Sequence, residues 1–464
     1  MDRYWVGGTG NWNTTAHWST TSGGSGGASI PTSSDNVIFD TNSHNDNYTV
    51  TLPNTISAYC NDFTANNPTG KIATFIANYN LHIYGSLYLG SNISFTGMKA
   101  IIFKATSTGK TITTNGCKFS YNSSATFDGV GGEWILQDDI DFNISSMYLV
   151  RGTLDANNKN ITARSFDGSN SNTRTLKMGS GTWSFSQVGT IWNLGTTTNL
   201  TFDSGTSTIK FTGNLGSNVR TFKGGGLTYY NFENHVFSTD LATNPGKVVI
   251  DDSNTFNSFN VNGNIYSYPT RVEFTAGTTQ TVSSFKANGK ANFGVIIQSS
   301  DTSIFTLSCP SGTINCNYID LSYSTATGGA TWNAIDSIDS GNNTGWIFST
   351  STVAPTVTTQ SATNVAQTSC TGNGNITDTG GENATCRGFC YKVGTSGDPT
   401  TSDSVAYNDG SFGTGAYTKS ITGLSANTSY RIRAYAVNSA GTSYGTTVSV
   451  KTLTDFIPRT TWFL

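Results

Sequence analysis

Apolar and polar residues alternate in short runs along most of this chain. In the segments TLKM, GTWSFS, NLTF and TIKF, every second residue is apolar. A period of two is typical of β-strands that place one face on a core and the other in water. Clusters of Gly, Asn, Asp and Ser separate the runs, and these residues favour turns. The pattern predicts an all-β protein built from many short strands.

A longer period is superimposed on this alternation. The segments LKMGSGT, LTFDSGT and VEFTAGT begin at Leu176, Leu200 and Val272, so their starts lie 24 residues (200 minus 176) and 72 residues (272 minus 200) apart. About 24 residues fit one coil of a parallel β-helix, whereas a propeller blade generally needs about 40 or more. We therefore expect a right-handed parallel β-helix of about twelve coils over 40–348. Leu176, Leu200 and Val272 would then stack on one core-facing ladder. Antiparallel sandwiches with chance spacing remain the alternative.

The first 39 residues contain an unusual density of tryptophan. Trp5, Trp12 and Trp18 fall within the glycine-rich stretch YWVGGTGNWNTTAHW. The first coil of a solenoid presents unpaired backbone and apolar side chains, so it needs a cap. We interpret 1–39 as a capping segment. Stacking on sugar rings or docking onto a partner is the alternative, which makes these three tryptophans candidate binding residues.

Composition excludes several classes of partner. Only 11% of the 464 residues are charged, the net charge is -3, and no dense Lys/Arg run occurs. Phosphate neutralisation needs clustered cations, so we expect no nucleic-acid partner. No apolar run approaches the roughly 18 residues that would span a bilayer, so we expect no membrane insertion. The first twelve residues lack the features of a secretory signal, and we expect no export by the general route.

Residues capable of metal or covalent chemistry are scattered. The four histidines show no metal-ligand spacing, and we expect neither a metal nor another cofactor. The seven cysteines form an odd set without a CxxC pair. Cys309 and Cys316 flank a turn and are the one pair left open to a disulfide, with buried free thiols as the other interpretation. The run DTNSHNDN over 40–47 suggests a polar turn, or alternatively a calcium site.

The segment EWILQDDIDF, over 133–142, contains two carboxylates that are candidates for a catalytic pair. Asp139 and Asp141 lie two residues apart, and on one strand face their Cα atoms would be about 6.6 Å apart. An inverting glycosidase uses a carboxyl pair at such a separation. Acidic residues on a solvated face are the alternative, and we favour it because no aromatic or basic residue is obviously paired with them.

The C-terminal region has a different character. After the Ser/Thr/Pro linker 349–354, the stretch ITGLSANTSYRIRAYAVNSAGTSYG places Tyr430, Ile432, Ala434 and Ala436 on one strand face. Together with Leu424, Asn438 and Gly441, this motif resembles the fibronectin type III family. The resemblance covers 355–453 and implies a seven-stranded sandwich. Such modules are usually spacers or binding units.

The two ends of the predicted β-helix also resemble a known group. WVGGTGNW with SSDNVIF near the start, and TATGGATWNAIDSIDSGNNTGWIF near the end, are similar to β-helical virion-surface and tail proteins of bacteriophages. That resemblance implies a non-enzymatic structural or host-contact role in a tail fibre, a tailspike-like protein or a capsid-surface component. Its partners would be other virion proteins and a host surface glycan, and a homotrimer is compatible with it. Such a protein is assembled in the host cytoplasm and released by lysis.

Two rival functions remain open at this stage. One is a polysaccharide-degrading tailspike, a glycoside hydrolase or lyase using Asp139 and Asp141. The other is a bacterial surface adhesin, which would need an export signal.

The C-terminal tail, 454–464, ends in DFIPRTTWFL (455–464), which is too apolar for a free solvated end. We expect this tail to dock on the solenoid, on a sister subunit or on another virion protein, with Trp462 and Phe463 as contact residues. A frayed terminus is the alternative.

Overall fold

The computed structural model describes residues 1–66, 71–76, 79–97, 99–117, 119, 124–239, 246–263 and 268–455, without the side chains of 143–145. The chain divides into two compact units, Met1–Ser349 and a second that begins at Thr350. Within the described ranges there is no α-helix, and a 3-10 turn occupies Thr15–His17. The prediction of an all-β fold is confirmed.

The first strands are β1 (Asp2–Trp5), β2 (Gly10–Asn11), β3 (Trp18–Ser19), β4 (Asn36–Phe39), β5 (Tyr48–Thr51), β6 (Ala58–Cys60), β7 (Phe63–Ala65), β8 (Ala73–Ile76), β9 (Asn80–Ile83), β10 (Leu87–Leu89), β11 (Ile93–Thr96), β12 (Ala100–Phe103), β13 (Lys110–Thr113), β14 (Ser124–Leu136) and β15 (Ile140–Asp155). The middle strands are β16 (Ile161–Asp167), β17 (Arg174–Lys177), β18 (Thr182–Phe185), β19 (Gly189–Asn193), β20 (Leu200–Asp203), β21 (Thr208–Asn214), β22 (Val219–Lys223), β23 (Thr228–Phe237), β24 (Lys247–Asp251), β25 (Thr255–Asn262), β26 (Thr270–Phe274), β27 (Thr279–Asn288), β28 (Val295–Ser299) and β29 (Phe305–Ser308). The last strands are β30 (Thr313–Asn317), β31 (Ile319–Ser322), β32 (Ser324–Thr327), β33 (Thr331–Ile335), β34 (Ile338–Asp339), β35 (Trp346–Ser349), β36 (Thr356–Thr363), β37 (Ser369–Asp378), β38 (Ala384–Val393), β39 (Ser404–Phe412), β40 (Gly415–Thr422), β41 (Ser429–Asn438), β42 (Gly441–Tyr444) and β43 (Val448–Lys451).

The first unit is a parallel β-solenoid of about 11 turns with about 24 residues per coil. Its strands stack into three ladders, which we call the first, second and third faces. The first face begins β1–β4–β7–β10–β13. The second runs from β6 through β9, β12, β14 and β15 to β16, and onward through β22 to β34. The third includes β18–β21–β23–β25–β27. The parallel β-helix predicted from the sequence is confirmed.

Aromatic rings fill much of the interior of the solenoid. Phe103 stacks on Phe127 of the next coil, with ring centroids 4.9 Å apart and planes 7° from parallel. Parallel in-register pairing brings like side chains together at each coil, so the core continues as a stack of rings. The long strand β14 bends between the second and first faces at Gly129. A Cβ there would lie 1.9 Å from the carbonyl oxygen of Ala105, so this corner requires glycine.

The register differs in detail from the one that the sequence repeat predicts. Leu176 and Leu200 do lie on adjacent strands of the first face, but Leu176 pairs with Phe202, and Leu200 pairs with Arg174. The coil is therefore 26 residues long at this point (202 minus 176). Val272 lies on the second face, so its predicted place on the same ladder is wrong. The Gly-Thr turn recurs at different corners of the coil, and the turns vary in length. A repeated sequence motif therefore does not fix the register between coils.

The N-terminal tryptophans lie inside the first coils. Trp5, Trp12 and Trp18 are 0%, 1% and 0% exposed. The indole Nε1 of Trp5 donates to the Gly8 carbonyl at 2.7 Å, and that of Trp18 donates to the Trp12 carbonyl at 2.7 Å. Ring centroids of Trp12 and Trp18 are 4.9 Å apart. The three rings therefore pack as core, and their candidate role as sugar-stacking residues is corrected because no ring face is available to a ligand.

All seven cysteines carry free thiols. The Cys309 thiol donates to the Ser311 carbonyl at 3.3 Å, and it forms no bridge with Cys316. Burial raises the pKa of the Cys316 thiol to about 12, so it is protonated at neutral pH. The interpretation of these cysteines as small buried apolar groups is the correct one.

The second unit consists of antiparallel strands in two sheets. One has the order β36–β37–β40, and the other has the order β39–β38–β41–β42 with β43 also paired to β41. Tyr430, Ile432, Ala434 and Ala436 are all buried on the inner side of β41, as the alternation predicts. The arrangement is consistent with a β-sandwich. The tail with Trp462 and Phe463 lies outside the described residues, so its docking stays a prediction.

Candidate functional site

The outer side of the second face carries two parallel rows of side chains. Alternation along each strand points every second residue away from the core. One row, formed by directly paired residues of consecutive coils, runs Tyr59, His82, Ile102, Thr126 and Tyr148. At about 4.8 Å per strand, this row is about 19 Å long. In the second row, Asn80 pairs with Ala100, and Ser124 pairs with Ser146, which pairs with Ser165.

An open groove of about 530 Å³ follows these rows. We call it the tyrosine groove and define it by its ten lining residues: Asn80, Lys99, Ala100, Ile102, Ser124, Thr126, Ser146, Tyr148, Arg164 and Gln187. Most of this surface comes from strands β9, β12, β14, β15 and β16, which belong to consecutive coils. A site spread over several coils suits an extended ligand better than a compact one.

Exposed rings mark one wall of the tyrosine groove and its continuation. Tyr148 is 39% exposed, and Tyr59, at the far end of the same row, is 38% exposed. The Tyr59 ring lies 5.0 Å from the ring of His82, centroid to centroid. Burial lowers the pKa of His82, and the nearby Lys104 lowers it further, so the imidazole is neutral at pH 7. This row therefore offers aromatic surface without adding positive charge.

Hydroxyl and amide groups line the other wall. The Ser165 hydroxyl donates to the Ser146 hydroxyl at 2.8 Å, and the Ser146 hydroxyl donates to Gln187 Oε1 at 3.5 Å. These groups are partly buried and joined into a short chain of hydrogen bonds. A wall of this kind can both donate to and accept from the hydroxyls of a ligand.

Asp139 and Asp141 lie in different local structures. Strand β15 begins at Ile140, so Asp139 lies in the preceding turn, and the expectation that both acids share one strand is wrong. The Asp139 carboxylate accepts from the backbone N–H of Asn160 at 2.8 Å and from its side-chain amide at 2.9 Å. These hydrogen bonds, with the Asn160 side chain foremost, lower the pKa of Asp139. A general acid needs a raised pKa. Asp141 is half-buried on β15.

Metal ligands are not grouped anywhere in the described parts of the chain. No cluster of three or more His, Cys, Asp or Glu side chains able to hold an ion occurs there. In the run considered for calcium, the Asp40 carboxylate accepts from the Asn42 backbone N–H at 2.9 Å and from the Ser22 hydroxyl at 2.6 Å. Those contacts are the ones expected of a polar turn. Within the same described ranges, no helix has the length and apolarity needed to cross a bilayer.

Sequence reasoning missed the tyrosine groove, although one signal for it exists. Tyr148 stands between the core residues Met147 and Leu149, and Tyr59 stands between Ala58 and Cys60. A large aromatic residue at the polar phase of an alternating strand indicates an exposed ring. The sequence does not show that such residues on different coils are neighbours, because that depends on the register.

Comparisons with known proteins show limited similarity. No protein-family model and no curated protein matches the chain. Several solved structures are similar over parts of it, among them the three described here. The sensor domain of the anti-sigma factor RsgI4 from Pseudobacteroides cellulosolvens is 16% identical, over 22% of this chain and 99% of that one, with a TM-score of 0.18. A crystal structure of titin domains is 18% identical, over 24% and 35%, with a TM-score of 0.16.

The third similar structure is the chitinase ChiW, a cell-surface-expressed multi-modular enzyme from Paenibacillus sp. strain FPU-7. It is 11% identical over 68% of this chain and 24% of that one, with a TM-score of 0.18. This chain thus matches about a third of the titin structure and a quarter of the chitinase. At these TM-scores the likeness says nothing about this protein's activity.

Proposed function

We propose that this protein is a non-enzymatic structural and host-contact component of a bacteriophage virion that binds carbohydrate through the tyrosine groove. The observation that carries the proposal is the groove itself, in which the exposed ring of Tyr148 lies beside serine hydroxyls and side-chain amides. Sugars present apolar ring faces and many hydroxyls. Aromatic faces and hydrogen-bonding side chains on a preformed surface complement both features.

The arrangement of acids supports a binding role over a catalytic one. The ten residues that line the groove include no Asp or Glu. Asp139, the strongest candidate for an acid catalyst, is held by Asn160 in a turn. Glycoside hydrolysis needs two carboxyl groups flanking one sugar bond. The polysaccharide-degrading tailspike and the bacterial adhesin are therefore second choices.

We infer that the C-terminal sandwich is a fibronectin type III module acting as a spacer or a further binding unit. The three-stranded and five-stranded antiparallel sheets support this assignment. The Tyr430 hydroxyl accepts a hydrogen bond from the Ser425 backbone N–H at 2.8 Å, five residues upstream, in the manner of the tyrosine corner of such sandwiches. Asn438, also part of the family motif, donates to the Val353 carbonyl at 2.7 Å.

The proposed place of assembly is the cytoplasm of an infected host, with release by lysis and incorporation into particles beside other virion proteins. The seven free thiols support this view, since a reducing compartment keeps cysteines unpaired. A homotrimeric assembly belongs to the same proposal.

The test of carbohydrate binding uses the full-length protein on an array of neutral and acidic glycans. We expect binding to a subset of the array, and weaker binding after Tyr148→Ala, because the exposed ring is lost while the core is untouched. Tyr230→Ala is the matched control, since Tyr230 is 37% exposed but does not line the groove. The bound glycan should also remain intact when analysed by chromatography. Absence of all binding, or release of shortened sugars, would contradict the proposal.

A further inference from the structure

Hydroxyl-bearing side chains form two regular rows on the C-terminal half of the solenoid. At their N-terminal ends, strands β23, β25 and β27 stack in register with β29 and β32. Directly paired outward residues of these strands, with one residue of the last coil, make up the two rows. We call them the threonine grid: Thr228, Thr255, Thr281, Ser308 and Thr327 in one row, and Thr279, Thr306, Thr325 and Thr344 in the other. Eight of the nine residues are threonine, and none carries a charge.

The threonine grid repeats at fixed distances in two directions. Within a row, consecutive residues are one strand spacing apart, about 4.8 Å, so the longer row extends over about 19 Å. The two rows lie two residues apart along each strand, or about 6.7 Å. Because backbone pairing sets both repeats, the side chains form a two-dimensional lattice.

The threonine grid is anchored from beneath. Gln280, Leu307 and Ala326 stand between the two rows on β27, β29 and β32, and they point inward with 0%, 0% and 8% exposure. The Gln280 side-chain amide donates to the Asp252 carbonyl at 2.7 Å. A branched Cβ restricts the χ1 angle of threonine. The hydroxyl and methyl positions of the grid are therefore largely preorganised.

The hydroxyls of the threonine grid are available to solvent. Thr255 and Thr281 are exposed, and Thr306 and Thr325 are half-buried. Within the part of the chain that the structure describes, the hydroxyls of Thr281, Thr306 and Thr325 form no hydrogen bond to another protein group. Water bonded to these hydroxyls takes up the two repeats of the grid.

From this lattice we propose that the threonine grid binds the surface of ice. On the prism faces of an ice crystal, oxygen atoms repeat in two directions at spacings close to those of the grid. Water molecules held by the threonine hydroxyls therefore also fit the crystal, and the methyl groups between them exclude disordered water. A rigid, periodic and uncharged ligand gains from a preorganised surface of this kind. The activity goes beyond the proposed carbohydrate binding and uses a different surface.

The experiment measures uptake of the full-length protein into growing ice. Ice is grown slowly in a solution of the protein, and the protein is then measured in the ice and in the remaining liquid. Ovalbumin is the reference for a protein that ice excludes. We expect this protein to be enriched in the ice relative to ovalbumin. Crystalline cellulose and crystalline chitin serve as companion probes, because they are ordered solids of a different chemistry.

Variants locate the effect on the threonine grid. Thr281→Tyr and Thr306→Tyr each place a large ring in the middle of one row, and we expect enrichment in ice to be lost because the ring holds the crystal away from the neighbouring hydroxyls. Thr331→Tyr is the matched control, since Thr331 is an exposed outward threonine of β33 outside the grid. It should be enriched as the parent is, and so should Tyr148→Ala. Thermal unfolding first confirms that each variant retains the fold.

The outcomes separate this inference from the proposed function. Exclusion of the parent from ice to the same degree as ovalbumin overturns it, as does equal uptake of the parent and the folded grid variants. Binding to crystalline cellulose or chitin that Thr281→Tyr abolishes, without uptake into ice, also overturns it. None of these results affects carbohydrate binding by the tyrosine groove, which the glycan array and Tyr148→Ala test independently.

Discussion

The two ends of the second face share the same parallel stacking of strands but have very different outer surfaces. Toward the N-terminus the outer rows form the tyrosine groove. Toward the C-terminus the outer side carries Glu273, which is only 2% exposed and forms ion pairs with Lys247 at 2.6 Å and Arg271 at 2.7 Å. Beyond it, Ile296 and Ile338 help to line an apolar cleft of about 290 Å³.

The inner side shows no such difference. Ile101, Ala125 and Met147 are buried in the N-terminal half, and Ile250 and Phe274 are buried in the C-terminal half. A solenoid constrains the core side of each strand through stacking with the neighbouring coils, whereas the outer side is free to vary. In this fold, therefore, the outward rows are free to carry function, whereas the inward rows mainly carry stability. Glu273 is an outward residue that departs from this rule.

The largest expected effect comes from breaking the Glu273 ion group. Glu273→Ala would leave Lys247 and Arg271 partly buried without their carboxylate, and we expect the free energy of unfolding of the solenoid to fall by about 3–5 kcal/mol. Guanidinium denaturation followed by circular dichroism measures it. Glu133→Ala is the control, because Glu133 contacts the more exposed Lys177 at 3.4 Å, and a loss of about 1 kcal/mol or less is expected. Equal losses in the two variants would remove the distinction between the halves.

A smaller effect should follow from pH in the N-terminal half. Burial acts to raise the pKa of Asp128, but hydrogen bonds and charges from Arg151 and Lys104 outweigh it, so the pKa is lowered. A lowered pKa means that this carboxylate stabilises the fold above its unfolded value, about 4, and loses that effect as pH falls through the folded value. Asp128→Asn should therefore be less stable than the parent at pH 7, with the difference shrinking below about pH 4.

Thermal unfolding of the parent and of Asp128→Asn across roughly pH 2.5 to 7 tests this expectation. Two curves that remain parallel through the acid range would show that Asp128 contributes no pH-dependent stability.

The smallest effect is expected from substitution of Asp139 and Asp141. The double variant Asp139→Asn, Asp141→Asn should bind glycans as the parent does, because neither residue lines the tyrosine groove. Loss of the hydrogen bonds to Asn160 should lower the free energy of unfolding by about 1 kcal/mol. Binding is measured on the glycan array and stability by denaturation. If the parent degrades a glycan and the double variant does not, the tailspike enzyme is favoured.

The sequence predicted the fold from two periods but not the neighbours across coils. Alternation correctly assigned the inner side of strands such as β41, and the coil length of about 24 residues was correct. The ladder through Leu176, Leu200 and Val272 was not, because coils differ in length at their turns. The tyrosine groove depends on that same register. Tyr148 and Lys99 belong to different coils, and only the fold brings them to one groove.

The first strand of the solenoid limits how molecules of this protein can associate. Strand β1 pairs in parallel with β4 on one edge and antiparallel with β3 on the other, where Trp5 lies opposite Trp18. An open first coil would accept the final coil of another molecule, and head-to-tail addition of that kind produces filaments of indefinite length. With both edges of β1 occupied within the chain, another molecule cannot add a strand at this position of the first face.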